Sequence, residues 1–198
     1  MTLDATIRAV QAKVGVTVDG NPGPQTWAAI HRAIVGDAPA AGVGKLADER
    51  SERAIVTLLP QVQPLARALV ESAATIGIAI KVISGTRTYD EQNALYEQGR
   101  TKPGSIVTNA RGGYSNHNFG IAFDIGVFEG GRYVKESPAY KAVGALGMKL
   151  GLDWGGSWRT ISDEPHFQLR PAWAREMSER DMLAELRGRR ARGQSAFA

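Results

Sequence analysis

Three side chains able to bind a transition metal stand in two short stretches of the chain. His117 and Asp124 lie in SNHNFGIAFDIG (115–126), and His166 lies in DEPHFQL (163–169). The chain has no cysteine, so such a site must be built from His, Asp or Glu, and only three histidines are present. Two imidazoles and one carboxylate suit zinc, whose catalytic sites commonly use three protein ligands and leave a fourth position for water. Asp163, three residues before His166, adds a carboxylate that can serve such a water as general base. A His and an Asp separated by six residues is a weak signal on its own. An Asp left without a partner on a buried strand would be costly, which favours a ligand there.

The elements around these residues explain how they can meet. Read as a strand, Phe119, Ile121, Phe123 and Ile125 point one way. Gly120, Ala122, Asp124 and Gly126 point the other, so a nearly bare face carries one carboxylate and leaves room for metal and substrate. The second stretch repeats the pattern, with Phe167 and Leu169 on one face and His166 and Gln168 on the other. Around them we expect helices in 46–60 and 62–77 and a strand at 79–84. A helix from a Thr88/Glu91 capping box should end at Gly99. A long polar loop covers 100–116, and a Gly130-Gly131 hairpin follows the strand. Ser137 and Pro138 open a helix that ends at Gly151, short strands lie in LDWGG and HFQLR, and a last helix starts near Pro171 carrying Trp173, Met177 and Leu186.

The N-terminal 36 residues form a separate unit. Leu3, Ile7, Val10 and Val14 share a helical face, Gly15 stops that helix, and Pro24 opens a second helix on which Trp27, Ile30 and Ile34 align. Residues 37–45 are a Gly/Ala/Pro-rich linker, and 46–198 form the larger domain. No run of about 18 apolar residues predicts a membrane-spanning helix, and MTLDATIRAVQAKVG lacks the apolar run of a signal peptide. The net charge is +4 with a pI near 9.5, consistent with an anionic partner, but the cations do not cluster before the tail and we expect no nucleic acid. The tail carries Arg187, Arg189, Arg190 and Arg192, read either as a solvated, fraying end or as a segment touching anionic membrane or lipopolysaccharide.

Together SGTRTYDEQNALYEQGR, SNHNFGIAFDIG and DWGGSW…DEPHFQL resemble the zinc peptidoglycan peptidases related to VanY-type D,D-carboxypeptidases. Within them the resemblance is nearest to the L-alanyl-D-glutamate endopeptidases of phage endolysins and bacterial wall hydrolases. The family's Ser-x-His-x6-Asp matches Ser115, His117 and Asp124; its acid-x-x-His matches Asp163 and His166; its Ser-Gly-x-Arg matches Ser84, Gly85 and Arg87. The resemblance spans roughly 46–170. It implies an α+β zinc peptidase domain with a small antiparallel sheet flanked by helices, and one Zn2+ per chain on His117, Asp124 and His166. It further implies Asp163 as catalytic base, Arg87 binding substrate or stabilising the oxyanion, and Ser115 at the substrate or capping its loop. Glu164 competes with Asp163 as the base, and Ser157 stands where the family often has an acid.

VQAKVGVTVDGNPGPQTWAAI is similar to the all-α three-helix peptidoglycan-binding module through Asp19, Gly20, Gly23, Pro24 and Thr26, with His31 an ordinary helix residue. The expectation is a monomeric peptidoglycan hydrolase of endolysin type that cleaves L-Ala–D-Glu. It is made in the host cytoplasm and reaches the wall after the membrane is opened. The rivals are a D,D-carboxypeptidase and a non-catalytic wall-binding protein with structural zinc, which would need a fourth protein ligand.

Overall fold

The computed structural model describes residues 2–23, 26, 27, 29, 30, 33 and 47–198. The chain forms two compact units, Met1–Gly42 and Val43–Ala198. The expected linker at 37–45, His31 and Ile34 lie outside the described residues, as does Pro24 at the start of the second helix.

In the first unit, helix α1 (Leu3–Val14) opens on the Thr2 hydroxyl, which accepts from the Ala5 amide, and stops at Gly15 in the left-handed region. Along the expected apolar faces Ile7, Val10, Val14 and Ile30 are half-buried, while Leu3 and Trp27 are largely exposed. Gln11 is buried beside them. Its amide donates to Asp19 Oδ1 (2.7 Å), Asn21 O (3.0 Å) and Thr26 Oγ1 (3.2 Å), and its Oε1 accepts from Gly20 N (2.9 Å). One fully satisfied buried amide therefore shapes the DGNPG loop.

In the second unit, α2 (Glu49–Ile55), α3 (Gln63–Thr75) and α5 (Ala139–Lys149) cover one face of a five-stranded antiparallel sheet of order β1-β2-β5-β4, with β3 also paired to β2. The strands are β1 (Ile80–Ser84), β2 (Ala122–Glu129), β3 (Arg132–Val134), β4 (Asp153–Trp154) and β5 (His166–Gln168). The expected parity holds in β2: Phe123, Ile125 and Val127 enter the helix-covered core, where Phe123 stacks on Phe167 of β5 at 5.8 Å. The β2–β3 hairpin turns at Gly130-Gly131, both at positive φ (55° and 80°), the geometry a twisted two-residue turn requires. Helix α4 (Tyr89–Glu97) starts on the predicted reciprocal Thr88/Glu91 capping box.

Three elements depart from the sequence reading. The strand begins at Ala122 rather than Phe119. A 3-10 turn (Asn116–Phe119) ends at left-handed Gly120, whose carbonyl accepts from Leu59 N at 3.0 Å. That bend sends Phe119 and Ile121 into a second core with Met182, Leu183 and Leu186. The helix after Ser137 begins at Ala139, with Ser137 Oγ accepting its amide at 3.2 Å. Residues 172–174 form only a 3-10 turn, and the Arg170 guanidinium donates to the carbonyls of Ala174 (3.1 Å) and Met177 (3.2 Å) that follow it. Helix α6 (Glu179–Ala191) starts afterwards on the Ser178 cap. The arginine-rich end is thus a packed helix, not a fraying tail.

Candidate metal centre

The sheet register assembles the site. Asp124 on β2 pairs with Ser84 of β1 on one side and with His166 of β5 on the other. Directly opposed residues project their side chains to the same face, so the carboxylate and one imidazole meet across a single strand pair. A register irregularity between Val82 and Ser84 re-aims the end of β1 towards the site. His117 arrives from the 3-10 turn before β2, and its backbone carbonyl accepts from Arg87 N at 3.1 Å.

His117, Asp124 and His166 offer ligand atoms that all lie within 4.8 Å of one another. Asp124 Oδ1 is 3.1 Å from His117 Nε2 and 3.2 Å from His166 Nδ1. Zinc–ligand bonds of roughly 2.0–2.1 Å at a tetrahedral angle place neighbouring donors about 3.3 Å apart, so the spacing fits. The outer nitrogens settle which atoms face inward. His117 Nδ1 donates to Gly85 O (2.7 Å) and His166 Nε2 donates to Gln168 Oε1 (3.1 Å). Both acceptors are oxygens with no proton to give, which leaves the inner nitrogens of neutral rings as lone pairs beside a carboxylate. Three acceptors pointing at one another call for a metal ion or a proton between them, and outer carbonyl partners of this kind orient metal-binding histidines.

Burial opposes ionisation of Asp124, but the His117 and His166 imidazoles beside it hold its carboxyl well below the usual carboxylate range. Burial likewise disfavours the charged form of His166, while the hydrogen bond to Asp124 outweighs it and raises the ring's pKa. Both shifts favour an ionised Asp124 that shares a proton with His166, a proton that a metal would have to displace.

Arg87 lines the cleft, with most of its fork engaged. Its Nη2 donates to Asp124 Oδ2 (2.6 Å) and Ser84 Oγ (2.9 Å), its Nε to Ser84 Oγ (3.1 Å) and its Nη1 to Gln92 Oε1 (3.1 Å). The guanidinium fixes the carboxylate's second oxygen while the first faces the histidines. Asp163 stands on the cleft wall, its carboxyl pushed up by burial. Glu164 is not among the residues lining that cleft, and its backbone carbonyl accepts the Trp154 indole N–H at 2.8 Å. Ser115 also lines the cleft and makes no side-chain cap. Ser157, in place of the family's acid, donates to Trp154 O at 2.7 Å.

The centre lies in a cleft of about 1210 Å3 whose walls include Val107, Tyr114, Tyr133, Trp158 and Ile161. These apolar side chains are exposed, and the Trp158 ring sits 5.1 Å from that of His166. Several supporting groups escaped sequence reading. Gly85 acts through a backbone carbonyl, which no residue type advertises. Gln168 was on the right face, but its role as an acceptor depends on Asn116 donating to the same oxygen. Asn116 itself stood as one more polar residue in SNHN.

Comparison with known proteins agrees with this geometry. A family model described as D-alanyl-D-alanine carboxypeptidase matches residues 108–169, which include all three metal-binding candidates. The chain is 38% identical over 126 residues to the peptidoglycan L-alanyl-D-glutamate endopeptidase CwlK of Bacillus subtilis (strain 168), covering 58% of this chain and 74% of that protein. The crystal structure of the L-Ala D-Glu endopeptidase ChiX of Serratia marcescens superposes with a TM-score of 0.50 at 23% identity, over 64% of this chain and 90% of that one, a likeness of fold.

Proposed function

Because the chain belongs to the M15 family of zinc peptidases, we propose that it is a peptidoglycan hydrolase that cuts the bond between L-alanine and D-glutamate in the stem peptide. The observation that carries this reading is the convergence of His117 Nε2, Asp124 Oδ1 and His166 Nδ1 at a cleft that Asp163 also lines. The choice of bond is supported by the likeness to CwlK.

His117, Asp124 and His166 would hold one zinc, which when bound acidifies water and polarises a carbonyl. Among the described residues the cluster has three members, as an open catalytic site does and a closed structural one does not. Asp163 accepts a proton from the attacking water and returns it to the departing D-glutamate nitrogen as the C–N bond breaks. Burial raises the affinity of its carboxyl for that proton, which suits a group that must hold it between the two events. Arg87 keeps Asp124 in its ligating orientation and stands at the cleft, where its charge offsets the negative charge that develops on the scissile carbonyl. Ser115 lines the same cleft and would border the bound substrate.

The N-terminal unit is the wall anchor in this reading and raises the local concentration of substrate. An anchor joined to a wall peptidase suits an endolysin that is made in the host cytoplasm and acts after another protein opens the membrane. Prompt lysis on expression of this chain without a pore-forming partner would count against that role.

The test is digestion of purified peptidoglycan with and without chelator, with mass spectrometry of the released peptides. New amino termini on D-glutamate, lost on chelation and restored by zinc, are the expected result. Release of terminal D-alanine would instead assign a carboxypeptidase, a second reading favoured by the description of the matching family model. Wall binding without new ends by the zinc-loaded protein would sink the catalytic role of Asp163.

A further inference from the structure

Helix α6 lies beyond the residues 108–169 that the family model matches, yet it reaches the side chains behind His166 and the backbone on either side of His117. At its first residue, the Glu179 carboxylate accepts from Asn116 Nδ2 and, through its other oxygen, from Arg170 Nη2 at 2.7 Å. Asn116 Nδ2 also donates to Gln168 Oε1, the oxygen that accepts from His166 Nε2. Asn116 and Gln168 are both buried, so the inner part of this chain is shielded from water, while Glu179 at its outer end is half-exposed at the cleft. Two turns on, Arg187 Nη1 donates to Gly113 O at 3.0 Å, with its guanidinium 4.3 Å over the Tyr114 ring. Arg190 Nη1 donates to Asn118 O at 2.8 Å, with its guanidinium 4.5 Å over the Tyr89 ring. Gly113 and Asn118 flank His117, and the loop is closed on itself by the Gly113 amide donating to Asn118 Oδ1 at 2.8 Å.

We propose that helix α6 is the positioning element of the metal centre, with Glu179 acting through Asn116 and Gln168 on His166, and Arg187 and Arg190 acting on the backbone either side of His117. The hydrophobic contacts of α6 come from Met182, Leu183 and Leu186. The arginines add little to that core: they satisfy carbonyls of the loop that carries a ligand. A helix that only packed would need its apolar face and nothing more. Outer partners of metal ligands are typically worth about 10–100-fold in metal affinity.

The inference rests on the zinc reading, and the experiment separates the two. The full-length chain is titrated with zinc against a chromophoric chelator, and apo and zinc-loaded melting temperatures are recorded alongside. Wild type takes up one zinc per chain; no uptake by wild type would overturn the metal reading and this proposal together. R187Q/R190Q should bind zinc about tenfold more weakly, and R187K/R190K should recover part of the loss, since lysine still donates to a carbonyl. E179A should also weaken binding by about tenfold, while E179Q, which keeps one acceptor for Asn116 but turns an amide N–H towards Arg170, should lose less than E179A. If the double variant does not fold, R187Q and R190Q are measured singly, with about threefold expected from each. Folded variants that bind zinc within twofold of wild type, with apo and loaded melting temperatures falling together, would reduce α6 to a packing element and overturn the proposal.

Discussion

Gly85 offers the sharpest test of how the metal centre is held. A Cβ built there would sit 2.4 Å from both Ala54 O and Thr57 Oγ1. The Thr57 hydroxyl cannot swing aside freely, because it donates to Ala54 O at 2.6 Å and accepts from Thr86 N at 2.9 Å. Restoring ordinary contact at 3.4 Å therefore needs the backbone at Gly85 to give by about 1 Å. The Gly85 carbonyl is the acceptor for His117 Nδ1 at 2.7 Å, and a shift of about 1 Å takes that bond outside the usual 2.7–3.2 Å range. His117 then loses the contact that fixes its tautomer and plane. Gly85→Ala should weaken zinc binding about 10–100-fold, the usual effect of losing a ligand's outer partner, and lower apo stability by roughly 1–3 kcal/mol through overpacking. Competition titration reads the first effect and thermal unfolding of the metal-free protein reads the second. A variant whose stability falls while its zinc affinity stays within twofold would show that Gly85 packs but does not orient His117.

Asp163→Asn should lower kcat about 10^2–10^4-fold with one zinc still bound, measured by peptide release and metal analysis. Burial raises this carboxyl's pKa in the folded state, so whatever stability it contributes is full below its unfolded pKa of about 3.9 and is lost as pH rises through the higher folded value. At pH 7 the metal-free Asn variant should therefore melt no lower than wild type, and the acidic limb of wild-type kcat/KM should lie above the ordinary aspartate range. Arg87→Lys loses the planar fork that reaches Ser84, Gln92 and Asp124 together, so kcat/KM should fall by about tenfold or more in steady-state assays. Tyr140→Phe serves as the contrast. Its buried hydroxyl, pushed up to about 12 by burial, accepts from Val127 N at 3.2 Å and donates to Val134 O at 3.1 Å. Losing it should lower stability by about 1 kcal/mol and leave zinc affinity unchanged.

Residue types and short-range spacing were enough to single out the side chains able to do the chemistry and the local elements that carry them. The absence of cysteine limited the donors to His, Asp and Glu, the family motifs singled out His117, Asp124 and His166, and strand parity put Asp124 and His166 on the faces opposite Phe123 and Phe167. The Thr88 capping box and the Gly130-Gly131 turn were equally legible, because both depend on residues a few positions apart. Tertiary structure decided the rest. Pairing of Asp124 with His166 is a register between strands 42 residues apart, set by the burial of Phe123 against Phe167. The bend at Gly120 follows from its contact with Leu59 and splits one apparent strand face between two cores. The arginines near the chain's end read as solvated charge because no local pattern reveals a carbonyl acceptor over 70 residues away. Hydrogen bonds to backbone oxygens, at Gly85, Gly113 and Asn118, belong to no residue type, and only the folded chain brings donor and acceptor together.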